Sequence, residues 1–83
     1  MKLFIYKLGE TLYEGEASSI TLPSVDGELT ILPQHIPLVT QLKAGTIRFS
    51  KPNEAHEAGE ANSFDIKGGF AEIKPEKATL LVE

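Results

Sequence analysis

Pro33 and Pro37 stand four residues apart in the middle of the stretch Asp26–Arg48, DGELTILPQHIPLVTQLKAGTIR. Each fixes its own φ and removes a backbone donor, so the segment between them cannot extend a central β-ladder. On either side lie short apolar runs, Leu29–Leu32, Leu38–Leu42 and Thr46–Phe49. They are too short for stable helices and are rich in Ile, Val, Thr and Leu, so they read as strands. Asp26-Gly27 supplies the φ > 0 geometry of a tight hairpin, and Lys43-Ala44-Gly45 marks a further turn. Pro33–Pro37 is therefore expected to form a stiff, exposed corner with His35 near its tip. Such a corner suits a partner surface; the alternative for His35 is a role in turn structure.

The rest of the chain repeats this pattern. Lys2–Lys7 alternates as a first strand with apolar groups on both faces, and Leu8-Gly9-Glu10 turns. Leu12–Glu14 and Glu16–Leu22 follow as strands around Gly15, where a bend is expected, and Pro23–Gly27 turns the chain again. Ile47 and Phe49 point inward together, with Arg48 on the other face. Lys51–Ala61, KPNEAHEAGEA, carries Glu54, Glu57 and Glu60 at a helical repeat with no apolar stripe, so a long acidic hairpin loop is expected rather than a helix. Phe64 and Ile66 resume alternation, Gly68-Gly69 bends the strand or admits a neighbouring backbone, and Ala71 and Ile73 share a face. Pro75-Glu76-Lys77 turns, and Ala78, Leu80 and Val82 line the last strand. The expected architecture is one all-β domain over residues 1–83. It should be a small sandwich of about eight to ten short strands with no convincing helix.

Composition excludes several function classes. A net charge of −4 has the wrong sign for a general nucleic-acid binder. The chain has no cysteine, hence no disulfide framework or thiolate metal site. Its apolar runs are far shorter than a membrane span, and its start, Met1–Lys7, is too short for a signal peptide. His35 and His56 lie in different loops without a carboxylate cluster, whereas a metal needs three or four converging ligands. Neither a metal nor any other cofactor is expected. Glu14 and Glu16 share a strand face, where solvated charge is the ordinary role, so no catalytic residue is assigned. Gly68-Gly69 lacks the Lys-Ser/Thr and helix start of a phosphate loop. Lys43 and Arg48 read as isolated cations.

The stretch Gly27–Arg48 resembles the GELGxxPGHAPLLTxLKPGxxR pattern of the amino-terminal domain of the epsilon subunit of rotary ATP synthases, called delta in mitochondria. Tyr13–Pro23 is similar to that family's F-x-G-x-V-x-S-V-T-L-P segment, and Lys67–Leu81 to its S-G-G-F-L-E-V…V-T-V-L-A ending. The resemblance covers nearly the whole chain and is weak over Lys51–Asn62. It implies a non-catalytic central-stalk (rotor) subunit of proton-translocating ATP synthase. Such a subunit joins the gamma shaft to the c-ring and couples proton flow to ATP synthesis. Its implied partners are the gamma subunit and the c-ring. Its implied place is peripheral, on the cytoplasmic face of the bacterial plasma membrane or an equivalent energy-transducing membrane, held there through partner subunits.

Carried over residue by residue, the resemblance implies a c-ring contact at Asp26, Gly27, Glu28 and Leu29. It implies a gamma-subunit contact at His35, Pro37, Leu38 and Thr40. Glu28 is the carboxylate singled out: an acidic tip would complement basic ring loops, and the alternative is a solvated turn charge. Gln34, Ile36, Ala44 and Thr30 replace a usual Gly, Ala, Pro and Gly. Gln34 cannot adopt φ > 0 as cheaply as Gly, which predicts a differently shaped corner. The family's helical hairpin would begin where Leu80–Glu83 ends this sequence, so no inhibitory arm is expected. The competing reading is a free-standing β-sandwich module that binds a peptide or carbohydrate. A cupin-like enzyme would need a His/Glu metal set that these residues do not supply.

Overall fold

A computed structural model describes residues 1–52 and 62–83. The core of the expected acidic loop, with His56, lies outside the described residues. Strands β1 (Lys2–Lys7) and β2 (Glu10–Glu16) form a first hairpin, and β3 (Ser19–Ser24) and β4 (Gly27–Ile31) a second. Two long strands, β5 (Leu38–Ser50) and β6 (Ser63–Lys74), form the central ribbon, and β7 (Lys77–Val82) closes the chain. The described residues contain no helix. All pairings are antiparallel except β1 with β7, which run parallel, and the order across the sheet is β2-β1-β7-β6-β5-β3-β4.

The all-β expectation holds, with seven strands among the described residues rather than eight to ten. Part of the difference lies at Gly15 and Lys43-Ala44-Gly45, where separate strands were expected and β2 and β5 instead run through. The β5–β6 ladder keeps one register from Leu38↔Ile73 to Arg48↔Ser63. Burial nevertheless changes phase along it. Leu38, Thr40 and Leu42 turn inward in the first half of β5, and Ile47 and Phe49 in the second. In β6, Phe64 and Ile66 give way to Ala71 and Ile73. The ribbon thus exchanges the face that it turns to the core. β7, β1 and β2 extend the sheet from one half and β3 and β4 from the other, and a single hydrogen-bonded sheet supplies both walls of the sandwich.

Gly69 makes this exchange possible. Its φ is 143°, and a Cβ there would sit on the Leu81 carbonyl oxygen and 2.8 Å from Val82 Cα. The expected bend and the expected close approach of a neighbouring backbone occur together at this residue. Leu3, Ile5, Ile20, Leu22, Ile31, Ile47 and Leu80 are fully buried between the walls. Each such aliphatic side chain contributes about 1.5–3 kcal/mol of transfer free energy. The extents of 28 × 26 × 25 Å agree with a sheet folded over its own apolar face.

Candidate functional site

The β3–β4 hairpin forms one end of the molecule. Its register pairs Ser24 with Gly27, so the two-residue loop is Val25-Asp26, one position earlier than the expected Asp26-Gly27. A hydroxyl sets the difference. Ser24, buried, accepts the Asp26 N–H at 3.1 Å on its Oγ and shares a 3.2 Å hydrogen bond with Thr40 Oγ1. The Val25 N–H donates to the Gln41 carbonyl at 3.0 Å, which ties the tip to β5. Gly27, at φ 125°, then begins β4 instead of occupying the loop centre.

From this tip the four expected ring-contact residues diverge. Asp26 is exposed and Gly27 half-buried. Leu29 turns inward and packs against the core. Glu28 is exposed on the outer face of its wall, but it is not a bare charge. Its Oε2 lies 3.7 Å from Arg48 Nη1, reached across β3. Arg48 is therefore paired rather than isolated, because Glu28 and Arg48 occupy outward positions on the two strands that flank β3. Beside them the Thr21 and Thr30 hydroxyls lie 3.4 Å apart, and Thr46 donates to Asp65 at 2.8 Å. The outer face of this wall is lined mainly by Ser, Thr and charged side chains, with Pro23 among them.

The corner at Leu32–Pro37 sits at the other end of β4. The His35 N–H donates to the Leu32 carbonyl at 3.2 Å, with Pro33 at the second position and Gln34 at the third, at φ 69°. This is the pattern of a type II turn, whose third residue is usually Gly. Gln34 thus adopts a positive φ despite its side chain. A 2.8 Å bond from the Gln34 N–H to the Pro75 carbonyl holds it there. Exposed side chains at the corner are Leu32, Pro33, Gln34, Ile36 and Pro37, whereas His35, expected at the tip, is half-buried. Its Nδ1 lies 2.7 Å from the Ile36 carbonyl and must donate, since a carbonyl only accepts.

Alternation then divides the expected gamma-contact residues. His35, Leu38 and Thr40 are half-buried, and Pro37 is exposed. Leu38 packs against the core, and Thr40 spends its hydroxyl on Ser24. The residues displayed are their neighbours: Ile36 is 75 % and Val39 70 % exposed. Register extends this surface across the wall, from Gln41 to Phe70, Leu81 and Tyr6, and from Val39 to Glu72, Thr79 and Phe4. Phe70 and Leu81 are each 56 % exposed. Phe4 and Tyr6 stack at 6.0 Å, with Lys77 Nζ 5.9 Å above the Phe4 ring. Ile36, Val39, Phe70 and Leu81 were missed from sequence, although the inward series Ala71-Ile73 and Ala78-Leu80-Val82 implied that Phe70 and Leu81 face outward. Among the described residues no group of three or more His, Asp or Glu side chains converges as a metal site.

Solved structures with this fold include a chain of the Euglena gracilis mitochondrial ATP synthase, in an assembly of OSCP, F1 and c-ring. It superposes at a TM-score of 0.78 with 22 % identity, over 96 % of this chain and 48 % of that one. A chain of the Tetrahymena thermophila mitochondrial ATP synthase central stalk and c-ring also gives 0.78, at 16 % identity, over 99 % of this chain and 62 % of that one. Curated relatives are more similar in sequence. The ATP synthase epsilon chain of Alkalihalophilus pseudofirmus is 38 % identical over 72 residues, covering 87 % of this chain and 50 % of the relative. That of Neisseria meningitidis is 34 % identical over 83 residues, covering 100 % of this chain and 56 % of the relative. The chain thus spans about half the length of the curated relatives it matches. The family model for the ATP synthase delta/epsilon chain β-sandwich domain matches residues 1–83, and the chain belongs to that family.

Proposed function

We propose that this domain is a non-catalytic rotor element of a proton-translocating ATP synthase, with one wall docked on the gamma subunit and the Val25-Asp26 end directed at the c-ring. The observation that carries this reading is the asymmetry of the two outer faces. One is lined by Ser, Thr and paired charges; the other displays Val39, Phe70 and Leu81 beside Phe4 and Tyr6. A contiguous apolar face of this kind on a small domain marks a surface that a partner covers. The membership of the family supports gamma as that partner. Torque transmission requires stiffness rather than reactivity, and a ladder that ties both walls into one sheet supplies it. The domain then sits peripherally on the cytoplasmic face of the membrane through its partners.

The test is co-purification of the complete subunit with gamma. Val39→Asp together with Phe70→Asp is expected to abolish it while leaving the β-sheet circular dichroism unchanged. Retention of gamma by the folded double variant would assign the contact to another face.

A further inference from the structure

Both amides of the Val25-Asp26 loop converge on one carbonyl of the central ribbon. The Val25 N–H donates to the Gln41 carbonyl directly, at 3.0 Å. The Asp26 N–H reaches the same carbonyl through two hydroxyls. It donates to Ser24 Oγ at 3.1 Å, Ser24 Oγ and Thr40 Oγ1 lie 3.2 Å apart, and Thr40 Oγ1 donates to the Gln41 carbonyl at 3.4 Å. A hydroxyl carries a single proton, which fixes the direction of this relay. Thr40 donates to Gln41, so the proton between the two hydroxyls belongs to Ser24. The same assignment leaves no proton unmet at Ser24, which is only 4 % exposed. Gln41 itself lies at an outward position of β5 with Val39, paired in register with Phe70. The loop is thus tied to the strand that displays the apolar surface.

We infer that Thr40 is a positioning residue: through Ser24 its hydroxyl holds the Val25-Asp26 loop on β5, so that loop and apolar face move as one body. The hydrogen bonds carry the clamp by themselves. Its use, which is to keep two contact surfaces of a rotor in fixed relation, rests on the reading above.

The experiment is amide hydrogen exchange of the complete subunit, followed by NMR, with melting temperature and gamma co-purification measured in parallel. Thr40→Val removes the hydroxyl and keeps the branched shape. It is expected to speed exchange of the Asp26 amide by about three- to tenfold relative to the amides of β7. Thr40→Ser restores the hydroxyl and should stay within about twofold of the unaltered subunit. Ser24→Ala should act at least as strongly as Thr40→Val, and the double variant no more strongly than Ser24→Ala alone, because the relay is already open. Every folded variant is expected to retain gamma. The clamp is overturned if Thr40→Val and Ser24→Ala leave the Asp26 amide unchanged, or speed it only in step with β7. Loss of gamma by folded Thr40→Val would also overturn it, since Thr40 would then be a contact residue. If the unaltered subunit does not retain gamma, the rotor reading fails, while the exchange rates still decide the clamp.

Discussion

The rings of Tyr13 and Phe49 meet with centroids 4.4 Å apart and planes tilted by 46°. This contact joins β2, an edge of the sheet, to β5 in the opposite wall. Phe49 in turn stacks on Phe64 at 6.2 Å, so an aromatic row spans the opening between the walls. Tyr13 faces inward because it pairs with the buried Ile5 in register, and its hydroxyl donates to the Glu16 carbonyl at 2.9 Å.

Phe49→Ala should therefore lower the stability of the domain by about 3–5 kcal/mol, in the range of a large core truncation. A double-mutant cycle between Tyr13→Leu and Phe49→Leu, followed by urea denaturation, should return a coupling of about 0.5–1.5 kcal/mol. A coupling near zero would show that the two rings merely share the core without closing it.

Gln34 holds φ at 69° in a position that favours glycine. A left-handed conformation costs a residue with a Cβ about 1–2 kcal/mol, part of which glycine gives back as extra freedom in the unfolded chain. Gln34→Gly is expected to raise stability by about 0.5–1 kcal/mol, read as a higher urea midpoint at constant slope. Gln34→Pro should do the opposite, since it deletes the N–H that binds the Pro75 carbonyl.

Gly69→Ala tests the exchange of faces in the central ribbon. The added methyl would collide with the Leu81 carbonyl and would also require a φ that alanine rarely adopts. The expected loss is at least about 2 kcal/mol, measured as a fall in thermal midpoint. A midpoint within two or three degrees of the unaltered domain would mean that β7 yields at this point.

Much of the fold was legible because one face of each strand is buried, and such strands declare their register by alternation. Lys2–Lys7, Ile47-Arg48-Phe49 and Ala78-Leu80-Val82 were placed correctly on that ground alone. The errors share a cause. Gly15 and Lys43-Ala44-Gly45 look like breaks between strands, yet glycine also sits within continuous strands, as it does in β2 and β5. The tip was displaced by one residue because the side chain of Ser24, rather than the Asp-Gly pair, satisfies the loop's backbone. At the corner the expected contact residues divide by alternation: Leu38 and Thr40 lie on the inward half of the strand, half-buried, and Val39 on the outward half.

That division separates two kinds of variant on adjacent residues. Leu38 packs against the core, whereas Val39 faces outward with most of its surface exposed. Leu38→Ala should cost about 1–2 kcal/mol of stability, since only part of the side chain is removed from water, and should reduce gamma binding only as far as the folded fraction falls. Val39→Asp should leave the melting temperature nearly unchanged and weaken gamma binding severely, because it places a charge in an apolar interface without a partner. His35→Ala breaks the ring's bond to the Ile36 carbonyl, and its effect should resemble that of Leu38 more than that of Val39. The measurement is a pull-down of gamma at equal concentrations of folded variant, with thermal melts run in parallel. If Leu38→Ala and His35→Ala abolish binding while the folded fraction stays complete, the contact follows the motif residues inward and the exposed-face assignment is wrong.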